Sequence, residues 1–340
     1  MNKISAIVLP FVFSGVAVAS EPMPEAYELI FNNVRADAAL RSSEGPITVD
    51  VGGFLQTRYT FNDGGDTSET YGFSVPRARL ILSGSVYDWD YKVSGQWSEG
   101  GDFELKDAYA STDFDGLGFK VGQFKTPFMK EVLESRVDIL GIERSIISNN
   151  FGQGRSQGVQ FSHDFGSVTG KVAYSDGFYS ANGNSVQDSY AATGRLDWRA
   201  TDWLNLGVAA SHNEDVERYW TWTVDGGVVL GDFTFDAAYV SAEYDAGTEW
   251  GTTAQLGYHV TEKFQPYAEY QFGELSGSEE NLSIATVGAN YFFNPNVRFS
   301  ADFGYALNGI ASGWDTGETG WQTSAEDGQY VVRAQFQISF

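Results

Sequence analysis

Cysteine is absent from the 340 residues, so neither a disulfide framework nor a thiolate metal site is open to this chain. Proline is scarce, at 8 residues, and histidine scarcer, at 3. Positive charge is also thin: 21 Lys and Arg stand against 45 Asp and Glu, a formal charge of -24. That balance argues against a nucleic-acid partner, whose phosphates would be repelled. Beyond residue 20 no apolar run approaches the roughly 18 residues that mark a membrane helix. What remains is abundant glycine (39 residues) and 15% aromatics, a mixture suited to many strands joined by tight turns.

Residues 1–20 read as an export signal. Lys3 supplies the positive end, Ile4 to Val18 the apolar core, and Ala17-Val18-Ala19 the small-residue cleavage site, with cleavage expected near Ala19. Residues 21–46 do not alternate and are expected to form a short periplasmic N-terminal segment. Pro24 and the acidic Glu25 and Glu28 suit a short helix there, and a mobile leader is the alternative.

From residue 47 to residue 340 the chain alternates with period two, the signature of strands with one apolar and one wet face. The final stretch shows it best. Tyr330, Val332, Ala334, Phe336, Ile338 and Phe340 share one parity, while Arg333, Gln335, Gln337 and Ser339 share the other. Sixteen such stretches can be traced, joined alternately by short and long connections, although the parity of 103–112 and 117–125 is muddled. Short turns on one side and long loops on the other are the habit of outer-membrane barrels. The expected fold is therefore all-β: a transmembrane antiparallel β-barrel of 16 strands. Trp89, Trp198, Trp203, Trp220, Trp222, Trp250, Tyr258, Phe292 and Phe293 fall near strand ends, where two headgroup-level aromatic belts are expected.

The third long connection, residues 126–156, carries too much apolar surface to wave in water: Phe128, Val132, Leu133, Val137, Ile139, Leu140, Ile142, Ile146 and Ile147. A sixteen-strand lumen has room for it, so an inward-folded third extracellular loop is expected, with a flap against a neighbouring subunit as the alternative. Cations crowd the first half. Residues 47–200 hold 14 Lys and Arg against 20 acids, and residues 201–340 hold 4 against 20. A cation facing lipid at the midplane would cost about 2–4 kcal/mol, so those on the polar parity must face the lumen. Arg58, Arg77, Arg79 and Lys92 on the strands, with Lys125, Lys130, Arg136, Arg144 and Arg155 around the long connection, are the candidate solute pathway. Rings of such cations favour anions, unless carboxylates such as Asp50, Asp90, Asp107 or Asp197 neutralise them. Acids concentrated in the outer loops are expected to be solvated and could bridge through divalent cations to lipopolysaccharide. His163, His212 and His259 lie near turns or loops that do not converge, and no nucleophile elbow, phosphate loop or zinc-protease motif occurs. No enzymatic activity and no cofactor are expected.

The run from Leu117 to Phe128 (Leu-Gly-Phe-Lys-Val-Gly-Gln-Phe-Lys-Thr-Pro-Phe), followed by Glu131, Ser135 and Ile142-Glu143-Arg144-Ser145, resembles the signature of the phosphate-selective porins O and P. Val75-Pro76-Arg77-Ala78-Arg79-Leu80 resembles that family's arginine-rich second strand. Lys106-Asp107-Ala108-Tyr109 and Val287-Gly288-Ala289-Asn290-Tyr291-Phe292 also match its pattern. The resemblance implies a trimer with its third loop inside and an anion path along Arg77, Arg79, Lys92 and the lysines of the loop. The chain departs from the family's long arginine ladder, holding only Arg218, Arg298 and Arg333 as arginines after residue 201. Passive diffusion of small anions such as phosphate or polyphosphate is the expected function. A non-selective or cation-tolerant pore and, remotely, an outer-membrane hydrolase are the alternatives.

Overall fold

A computed structural model describes residues 47–98, 101–177, 190–214, 218–244, 247–278 and 280–340. The expected signal peptide and N-terminal segment lie outside the described residues. The strands are β1 (Asp50–Asn62), β2 (Thr70–Val86), β3 (Trp89–Ser98), β4 (Phe103–Phe114), β5 (Leu117–Lys125), β6 (Arg155–Asp164), β7 (Val168–Ser175) and β8 (Ala191–Arg199). They continue with β9 (Leu204–Asn213), β10 (Arg218–Leu230), β11 (Phe233–Tyr244), β12 (Gly247–Tyr258), β13 (Phe264–Glu274), β14 (Leu282–Asn294), β15 (Val297–Ala306) and β16 (Tyr330–Ser339). Each pairs antiparallel with its sequence neighbours, and β16 pairs with β1, for example Thr57 opposite Phe336, so the sixteen-stranded barrel is closed. Closure leaves no unpaired edge, the condition for strands to sit in hydrocarbon.

The burial pattern is inverted relative to a water-soluble protein. On β16 the apolar row Val332, Phe336 and Ile338 is exposed, while Arg333, Gln335 and Gln337 are buried. Leu80 and Leu82 are likewise exposed on β2, where Arg77 is buried. The apolar rows thus form the outer surface, and a lipid solvent accounts for that arrangement. Trp89 packs edge-on against Phe114 and Phe119 at one end of the strands, and Trp222, Tyr239 and Trp250 form a chain of ring contacts at the other.

Local irregularities have identifiable causes. Asp115 and Gly116 both take positive φ in the two-residue turn between β4 and β5, the geometry that matches strand twist. Pro76, which has no N–H to give the ladder, falls where the β1–β2 register slips, with Gln56 opposite Arg77 but Arg58 opposite Ser74. A second bulge explains the muddled parity of β4. Ser94 opposes Asp107 and Gly95 opposes Leu105, so Lys106 is the extra residue and the rows exchange parity there.

Candidate functional site

The connection between β5 and β6 carries two short helices, α1 (Lys130–Leu133) and α2 (Ile146–Phe151), the second capped by Ser145 Oγ accepting from the Ser148 N–H. Phe128, Met129, Val132, Ile146, Ile147 and Phe151 are buried in one apolar cluster with Ala191, Ala209, Val240, Ala242 and Ile284 of the strands and with Trp314 and Trp321 of the last connection. Small residues on the strands make the room. A Cβ on Gly251 would lie 2.6 Å from Ile147 Cδ1, and one on Gly273 2.8 Å.

Polar bonds tie the same connection to the polar rows of strands around most of the barrel. Its backbone carbonyls accept from Asn290 Nδ2 (Leu140, 2.9 Å), Arg298 Nη1 (Ile139, 2.9 Å) and Gln337 Nε2 (Val137, 3.2 Å). Its backbone N–H groups donate to Asp225 (from Lys130, 3.0 Å) and to Gln271 (from Ile146, 2.8 Å). Arg195 donates to the Phe128 carbonyl and holds Asp225 through Nη1 and Nη2 at 2.8 and 2.7 Å.

The nine basic residues singled out by sequence fall into distinct settings. Arg58, Arg77 and Arg136 all donate to the carboxylate of Glu143, a residue only 4% exposed, and Arg77 also meets Glu318. Lys130 pairs with Asp236 and, at 3.6 Å, with Glu134. Arg144 Nη2 donates to the carbonyls of Val132 (2.8 Å) and Glu134 (2.6 Å), and Lys125 Nζ to those of Leu133 (3.1 Å) and Glu134 (2.7 Å).

The others gather on β2–β6. Arg155 holds Asp107 through Nε at 2.8 Å and Nη2 at 3.2 Å, while Lys92 Nζ lies 3.9 Å from the same carboxylate. Arg79 donates to Gln96 and lies 5.0 Å from the Phe54 ring centroid. Lys120, which the sequence reading passed over as a site residue, sits 4.7 Å from the Tyr109 ring centroid. Among the described residues, Arg79, Lys120 and Lys125 have no carboxylate partner. On these strands Arg77, Arg79, Lys92, Lys106, Lys120, Lys125 and Arg155 outnumber Asp90, Glu104, Asp107, Asp113 and Asp164. Farther round the barrel several cations are held in ion pairs: Lys171 and Arg195 meet Asp197, Arg195 meets Asp225, and Arg333 holds Asp302 at 2.7 Å. Of the carboxylates named from sequence as neutralising partners, Asp107 and Asp197 are in ion pairs. Glu143, the most heavily used, is not one of them: Arg136 lies beside it in the same connection, but Arg58 and Arg77 lie on the distant strands β1 and β2.

The histidines do not converge. His163 faces the Gly116 carbonyl at the β4–β5 turn, His212 packs on Trp220, and His259 stacks with Phe292.

A family model for Gram-negative porins matches residues 5–311. The chain belongs to that family. Solved structures agree on the fold. An anion-selective porin from Comamonas acidovorans aligns with a TM-score of 0.69 at 12% identity, covering 86% of this chain and 100% of that one. OmpF of Salmonella typhi, in complex with daunomycin, aligns at 0.69 and 12% identity over 88% and 100%. OmpT lacking loop L8, an outer membrane protein of Vibrio cholerae, aligns at 0.64 and 16% over 87% and 100%. No curated protein sequence matches the chain. This porin is accordingly an outer-membrane β-barrel through which solutes diffuse, and its family and fold point to a channel rather than an enzyme.

Proposed function

We propose that this porin passes small anions, phosphate and polyphosphate among them, along the β2–β6 wall, past a connection folded inside the barrel. The inward position is supported by the bonds that residues 126–154 make to the polar rows of strands on opposite sides of a closed barrel. The observation that carries the anion reading is the surplus of cations around Asp107. Among the described residues Arg79, Lys120 and Lys125 lack carboxylate partners, and Lys92 is held from Asp107 at 3.9 Å while Arg155 takes its oxygens. Such groups replace part of an anion's hydration yet hold it weakly enough to let it leave. Arg58, Arg77 and Arg136 are saturated by Glu143 and take a structural role in this reading rather than a place in the path.

The same reading includes removal of residues 1–20 on export, a short periplasmic segment over 21–46, assembly as a homotrimer, and contact of the acidic outer loops with lipopolysaccharide. OmpT of Vibrio cholerae, similar in fold, is described in a trimer form, and one similar fold is an anion-selective porin. Phosphate uptake by proteoliposomes tests the central part. Vesicles carrying the porin should fill with phosphate much faster than empty vesicles. Vesicles that leak potassium but stay tight to phosphate would overturn it. A cation-tolerant pore is the second reading, favoured by the formal charge of -24.

A further inference from the structure

Three guanidinium groups from separate parts of the chain close on one carboxylate. Glu143 Oε1 accepts from Arg58 Nη2 and from Arg77 Nη1 at 2.6 Å, and Oε2 accepts from Arg77 Nη2 at 2.9 Å and from Arg136 Nη1. Around them, Gln335 Oε1 accepts from Arg58 Nε and Nη2 at 3.1 and 2.8 Å, and Gln56 Oε1 accepts from Arg77 Nη1 at 3.1 Å. The Glu318 carbonyl accepts from Arg58 Nη1 at 2.7 Å, and the Glu318 carboxylate meets Arg77. Gln335 Nε2 is buried and has no partner.

A lone carboxylate needs one arginine. Two oxygens taking four charge-assisted N–H groups, beside a spare buried amide donor, form instead a lining of the kind that suits a tetrahedral oxyanion. We infer that Arg58, Arg77, Arg136 and Gln335 form an oxyanion site whose resident occupant is the carboxylate of Glu143, so that Glu143 keeps phosphate from being trapped there. Glu318, whose side chain is 41% exposed, marks where the cluster opens to water. Glu143 is thereby a specificity-determining residue. With its charge in place an anion meets only the weaker, unsaturated cations of the β2–β6 wall. With the charge removed, three guanidiniums face Glu318 alone.

The inference deepens the proposed anion passage and rests on it only for the claim that phosphate reaches the channel interior. The test is phosphate block of chloride current in planar bilayers. Glu143→Gln keeps the shape of the side chain and removes the charge. Inorganic phosphate should then reduce its chloride current with an apparent affinity at least about tenfold above the wild type's, the scale of one charge-assisted bond. Glu143→Asp keeps the charge, and with it the fold, but withdraws the carboxylate by one methylene, and should give an intermediate block. Glu318→Gln removes the other acid on Arg77, leaves Glu143 seated, and should block no more than the wild type. A purely structural clamp would loosen in Glu143→Gln without any gain of phosphate affinity. Phosphate affinity equal to the wild type's in Glu143→Asp and, where it inserts, in Glu143→Gln overturns the inference. The sign of the wild-type reversal potential in a KCl gradient reports separately on the anion reading itself.

Discussion

Arg77 and Glu143, 66 residues apart in sequence, are joined by two parallel bonds of 2.6 and 2.9 Å, and both side chains are only 2% exposed. Burying such a pair is costly, and breaking it costs more, because one charge is left without its partner. Arg77→Gln should therefore destabilise the folded barrel by about 3–5 kcal/mol, read from denaturant unfolding in detergent micelles. Arg77→Lys should recover little of that, since a lysine cannot make the two-pronged contact.

Arg79 lies two residues farther along the same strand and should behave in the opposite way. It bonds Gln96 and faces a phenylalanine ring, with no acid to strand. Arg79→Gln and Lys120→Gln should each lower the anion-to-cation permeability ratio while shifting stability by no more than about 1 kcal/mol. Bilayer reversal potentials and unfolding curves on the same preparations check the contrast. Arg58→Gln should show the reverse pattern, a large stability loss with a smaller change in selectivity.

The acid limb of the conductance profile should belong to Glu143. Burial alone would raise its pKa, but Arg77, Arg136 and Arg58 outweigh burial and hold the carboxyl well below the usual carboxylate range. A group with a depressed folded pKa contributes stability that is complete above its unfolded value, about 4.3, and is lost only as pH falls through the folded value. Glu143 should hence stay ionised between about pH 8 and pH 5, and the conductance shift it causes should appear only in stronger acid. Glu143→Gln should remove that shift.

Ile147 rests where two strands offer glycine. A valine at position 251 would place its Cβ 2.6 Å from Ile147 Cδ1 and 2.8 Å from Cγ2. Gly251→Val should cost about 1–3 kcal/mol and lever α2 off the strands. Faster limited proteolysis within residues 126–154 and noisier single-channel current, compared with Gly72→Val on β2, where open space surrounds the glycine and φ is not positive, would register the displacement.

The barrel was legible in the sequence because lipid on one side and water on the other impose a period of two that nothing else in the chain blurs. On β4 it blurred where the backbone broke the period, at the bulge that inserts Lys106. The helices α1 and α2, four and six residues long, were invisible to periodicity because neither completes two turns. Arg58, Arg77, Arg79 and Lys92 were legible as cations that lipid would reject, and the other five by their place around a long apolar connection. Which of them are saturated was not, because Arg58 and Glu143 are 85 residues apart in sequence and only the closed barrel brings them together. Lys120 was missed as a site residue because its neighbours are rings rather than charges, a setting that the muddled parity of β5 concealed.

The zero-current potential of the wild-type porin in a KCl gradient tests the central claim most directly. If unsaturated cations on the β2–β6 wall set selectivity, the potential carries the sign of chloride preference and moves toward zero when Arg79, Lys92 and Lys120 are all changed to Gln. A potential of the potassium sign, unmoved by that triple change, would contradict the account.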